Sequence, residues 1–110
     1  MERIYNKLVR DNIPDIIKNK GEEPITKNLN EKDYKQELEK KLYEEYKEVI
    51  ESYGEDRIEE LADMIEVIRA LAKLENKELK DVVSIADEKS KKRGAFNNRI
   101  FLEKVIEPNE

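Results

Sequence analysis

A chain of 110 residues, 37% hydrophobic and 45% charged, has room for one domain spanning residues 1–110. Its apolar residues recur at helical spacing, unlike the diluted pattern of a disordered segment. Its 22 basic and 27 acidic residues leave a net charge of −5 and it contains neither Cys nor His, which argues against a general nucleic-acid binder and excludes disulfides, thiolate nucleophiles, Cys-rich zinc sites and imidazole bases.

The opening MERIYNKLVRDNIPDII mixes charges into its apolar residues. No signal peptide is expected there, and no apolar run approaches the ~18 residues needed to cross a bilayer, so a cytoplasmic protein without a membrane partner is expected. Residues Ile4 to Val9 read as a short strand or an extended arm. Asn12 can cap a first helix near residues 12–20, with Pro14 in its opening turn and Ile13, Ile16 and Ile17 as its apolar edge. Gly21, Gly54 and Gly94 each follow helical character, where positive φ stops a helix without steric cost. The second helix is expected from about Asn30 to Tyr53, with a core stripe of Leu38, Leu42, Tyr46, Val49 and Tyr53. The third runs from Gly54 to about Leu74 and carries Ile58, Leu61, Ile65, Ile68 and Ala72 on one side. The fourth spans roughly Lys77 to Arg93, with Leu79, Val82, Val83 and Ala86 facing inward and lysines near its C-terminal end. Phe96 to Leu102 reads as a second strand or arm. The expected fold is all-α, a four-helix bundle-like domain with short extended N- and C-terminal arms.

Helices two and three carry acids where the pattern asks for apolar residues. Glu45 sits three after Leu42 and four before Val49, at the border of the core stripe, and Glu48 lies one turn further on that flank. On the third helix a second stripe, Met64, Val67, Leu71 and Leu74, meets Glu60 as its next position toward the N-terminus, with Asp63 three later. Folding the two helices into an antiparallel hairpin at Gly54 brings all four acids to about the same height. Four clustered carboxylates repel, and hard divalent ions such as Mg²⁺, or Mn²⁺, remove that repulsion. Solvated helices carry acids at such spacing without any ion; placement on apolar flanks, mirrored across a hairpin, sets these apart. Glu44 and Glu51 point away from the stripe, toward water.

Glu45-x-x-Glu48, a short connector and Glu60-x-x-Asp63 resemble the metal motif of the all-α nucleoside triphosphate pyrophosphohydrolases. That MazG-like superfamily includes phosphoribosyl-ATP pyrophosphohydrolase. KLYEEYKEV and EELADMIEVIRALA are similar to its K-L-x-E-E and E-E-L-x-D blocks, ADEKSKKRGAF to its later helix, and YNKLVRDNIP to a subgroup labelled nucleotide pyrophosphohydrolase. Eleven residues separate Glu48 from Glu60, a short spacing for the family, and Asp87 stands where some relatives carry Asn. The resemblance implies Mg²⁺-dependent hydrolysis of the α-β phosphoanhydride of a nucleoside triphosphate to monophosphate and pyrophosphate, as in nucleotide-pool house-cleaning. It implies Glu45, Glu48, Glu60 and Asp63 as metal ligands and Glu44 as a candidate proton acceptor. Lys89 and Arg93 match its phosphate-contacting positions; their other reading is a solvated basic helix end. Lys7 and Arg10 reach substrate if the N-terminal arm folds over the site, or else form surface ion pairs. Four carboxylates at about −4 facing a triphosphate of about −4 require two or more ions plus basic side chains.

Expected partners are a nucleotide substrate and a second copy of the chain in a homodimer or higher homo-oligomer, since two apolar stripes on one helix exceed what a small bundle covers. No nucleic-acid polymer is expected. The alternatives are phosphoribosyl-ATP hydrolysis in histidine biosynthesis and a non-enzymatic helical dimerisation or regulatory module.

Overall fold

The computed structural model describes residues 1–109 and contains, among them, four helices and no strand: α1 (Ile13–Asn19), α2 (Glu31–Glu51), α3 (Glu55–Leu74) and α4 (Leu79–Arg93). The protein is all-α, and the end segments read as strands or arms have no ladder partners. None of these helices is long and apolar enough to cross a membrane. The described residues form two compact units, Met1–Leu79 and the chain from Lys80 onward.

Local chemistry sets the helix ends of the first unit. Pro14 occupies the opening turn of α1, but the Asn12 side chain makes no capping bond; the Ile13 N–H instead donates to the Arg10 carbonyl at 3.0 Å, closing a turn before the helix. The helix stops where Gly21 takes φ +83° and the N–H groups of Gly21 and Glu22 donate back to the Lys18 and Ile17 carbonyls, a Schellman arrangement. Asn30 caps α2 through its side-chain oxygen, which accepts from the Asp33 N–H at 2.8 Å. The end of α3 repeats the Schellman pattern with Asn76 at φ +59°, its N–H and that of Lys77 donating to the Lys73 and Ala72 carbonyls. This stop also moves the start of α4 from the expected Lys77 to Leu79.

Only Ser52, Tyr53 and Gly54 join α2 to α3. The Ser52 hydroxyl donates to the Glu48 carbonyl at 2.7 Å, and Arg57 Nε, from the first turn of α3, donates to the Val49 and Ser52 carbonyls at 3.2 and 2.8 Å. These donors satisfy the terminal carbonyls of α2 and end it two residues before the expected Tyr53. The two helices form a packed antiparallel hairpin.

Its interior differs from the expected core. Leu38 on α2 and Val67 and Ala72 on α3 are buried, with Leu42, Val49, Met64, Leu71 and Leu74 half-buried. Tyr46 and Tyr53 are exposed, at 52% and 81%, as are Ile58, Leu61 and Ile65. The stripe through Met64 and Val67 belongs to the seam; of the stripe expected to lead α3, Ala72 is buried and Ile68 half-buried, whereas Ile58, Leu61 and Ile65 lie outside it. At about 100° per residue, Tyr43, Tyr46 and Ile50 lie on the flank of α2 opposite to Glu44 and Glu48. In an antiparallel pair this flank and the Ile58, Leu61, Ile65 stripe share one side of the hairpin, and the acids border the other. Of the inward face expected for α4, Val82, Val83 and Ala86 are exposed, and Leu79 is half-buried.

Candidate metal centre

Glu45 stands mid-seam on α2, one turn from Leu42 and Val49, and is only 9% exposed. Its helical position directs it at α3, where Glu60 continues the Met64–Val67 stripe and Asp63 lies one turn later. One carboxylate oxygen from each of Glu45, Glu60 and Asp63 lies within 4.8 Å of the other two. Oxygens bound to a common ion at 2.0–2.6 Å stand no more than about 5 Å apart, so this spacing suits a shared hard cation.

Two oxygens of these acids lack what a buried acceptor requires. Glu45 Oε2 and Glu60 Oε2 are sealed from solvent and accept no hydrogen bond among the described residues, a costly state for a carboxylate unless a proton or a cation completes it. Burial raises the pKa of Glu45, aided by the negative charges of Glu48 and Asp63. Glu60 is pushed up to about 7, first by a hydrogen bond with Glu48, then by desolvation and the surrounding carboxylates. Glu48, itself exposed, therefore belongs to the cluster through Glu60. Of the four acids expected to converge, Glu45, Glu60 and Asp63 do so, while Glu48 is outside that group of oxygens and meets it only through Glu60; the all-oxygen donor set with two orphaned oxygens fits a hard divalent ion such as Mg²⁺.

The N-terminal arm borders this cluster. Arg10 Nη2 lies 2.7 Å from Asp63 Oδ1, and Lys7 Nζ lies 3.6 Å from Glu44 Oε1. Both expected arm residues thus pair with acids of the hairpin. Glu44 is half-buried and also faces Lys41 at 3.9 Å. It lines a cleft of about 150 Å³ with Tyr5, Lys7 and Leu8 of the arm and Lys40 and Lys41 of α2. The i,i+3 spacing of Lys41 and Glu44 is the signal in the sequence for their contact. The charge of Lys41 also lowers the pKa of Glu45, against the larger upward effects. Lys89 and Arg93 lie on exposed turns of α4, in the second unit. No protein-family model, curated protein or solved structure matches the chain.

Proposed function

We propose that this protein is a divalent-metal-dependent nucleoside triphosphate pyrophosphohydrolase, with Mg²⁺ or Mn²⁺ as its ion. The observation that carries the reading is the convergence of Glu45, Glu60 and Asp63, with two sealed oxygens that no donor among the described residues completes. The order of acidic blocks that resembles the MazG-like enzymes supports the same assignment. Glu45, Glu48, Glu60 and Asp63 would hold the ion, which supplies a water of lowered pKa and neutralises charge on the departing pyrophosphate.

Around that centre the chain's own groups take definite tasks. Glu44, at the edge of the cluster and held by Lys7 and Lys41, accepts the proton of the attacking water, since the chain has no His to do so. Lys7 and Arg10 are the cations of this unit assigned to substrate phosphates, and the resemblance to the MazG-like enzymes gives Lys89 and Arg93 the same role. The test is pyrophosphate release from a panel of common and damaged nucleoside triphosphates with Mg²⁺, with the monophosphate identified as co-product. Absence of turnover across the panel, with no metal binding, would refute the reading.

The exposed side of the hairpin favours self-association as part of that function. Tyr43, Tyr46, Ile50, Ile58 and Ile65 form an apolar face, each between 44% and 65% exposed, and monomers rarely leave such a face in water. A homodimer, or a higher homo-oligomer, would cover it. The same face is the feature favouring the non-enzymatic dimerisation reading, which metal binding and turnover would separate from the enzyme.

A further inference from the structure

Of the three acids whose oxygens converge, Asp63 alone has a salt bridge among the described residues, and its partner comes from far away in sequence: Arg10, at 2.7 Å. The guanidinium is therefore a cation already standing at the edge of the proposed metal centre. An ion drawing an oxygen from Asp63 and the guanidinium of Arg10 claim the same negative charge, and each weakens the other's hold by like-charge repulsion. Both sides of the present contact are half-exposed, at 57% and 47%. Pairs of that kind are weak and screened by salt, so they exchange readily. Residues 1–10 have no helix or strand, all but Leu8 are exposed, and among the described residues the arm's other ionic tethers are Lys7 to Glu44 at 3.6 Å and Arg3 to Glu22 at 2.7 Å.

We propose that Arg10 is a resident counter-ion of Asp63 that a divalent cation displaces, so that metal loading loosens the N-terminal arm and frees the guanidinium. The inference rests on the metal reading above and adds to it a conformational response of this chain's own arm. Displacement makes metal loading and arm release two halves of one equilibrium: whatever holds the arm down weakens metal binding, and metal loosens the arm to the same degree. The released guanidinium, with its planar array of donors, is then available to an anionic ligand such as a phosphate group.

Two measurements on the full chain, stripped of metal by chelation, test this without any assay of turnover. Calorimetric titration with Mn²⁺ in the absence of nucleotide should show Arg10→Gln binding about two- to five-fold tighter than wild type, the equivalent of one exposed ion pair. Lys7→Gln removes the same charge from the same arm but pairs with Glu44 instead, and should change the affinity by much less. In the wild type, saturating Mg²⁺ should speed tryptic cleavage after Lys7 and Arg10, read by mass spectrometry, whereas Glu60→Gln should show no such response. Equal Mn²⁺ affinity in wild type and Arg10→Gln, or cleavage unmoved by Mg²⁺, overturns the exchange while leaving the metal centre standing. Failure of the wild type to bind Mn²⁺ at all removes both.

Discussion

Glu60 holds the least comfortable charge in the hairpin. Its carboxyl, pushed up to about 7, keeps a proton over a range where an unfolded glutamate with a value near 4.5 has lost it. Between those two values the folded state binds more protons, so metal-free stability falls as pH rises through that window and levels off above it. Glu45, raised by burial, adds in the same direction. Urea midpoints at pH 5 and pH 8 in chelator should therefore favour pH 5, and Glu60→Gln should shrink the difference. The same substitution should cut pyrophosphate release by at least about 100-fold, beyond the 10–100-fold that follows loss of a ligand's supporting partner, with far-UV circular dichroism unchanged. Glu45, Glu60 and Asp63 were legible in the sequence because each interrupts or borders an apolar stripe at steps of three or four. The Arg10–Asp63 contact was not, because it joins positions 53 apart through an irregular arm, and periodicity carries no information across such a segment.

Among the elements, the α2–α3 junction has the most local instruction. Gly54 adopts φ +64° and ψ −140°, and an added Cβ would meet nothing within 4 Å. Gly54→Ala should thus destabilise through backbone strain alone, by about 1–3 kcal/mol, measured as a lower urea midpoint with an unchanged slope. At the other end of α2, Asn30→Ala removes the cap on the Asp33 N–H and should cost about 1 kcal/mol in the same experiment. Helix positions were readable because Pro14, Asn30 and the three glycines act over short distances. Asn76 is a weaker stop signal than a glycine, since Asn enters the left-handed region less often, although it does so here at φ +59°. The choice between the two stripes of α3 was beyond periodicity as well. Both repeat at helical steps, and only the position of α2 decides that Val67 is buried at 6% exposure while Ile58 remains at 65%.

For the whole molecule, the apolar side of the hairpin has consequences in solution. Light scattering coupled to size exclusion should report a mass of at least two chains, and Ile58→Glu with Ile65→Glu should reduce it toward the 13.1 kDa of one, because charges on that side oppose its burial against a copy. The three-residue bend between α2 and α3 constrains the molecule in a different way. A helix turns by about 100° and climbs 1.5 Å with every residue, so one residue added inside α3 ahead of Glu60 would swing Glu60, Asp63 and Val67 together by about 100° relative to the bend and to Glu45 on α2. Side-chain substitutions around the centre change its strength, but an insertion changes its alignment. The bend works as a mechanical gauge, and chain length at this one place is as much a part of the centre as the acids themselves.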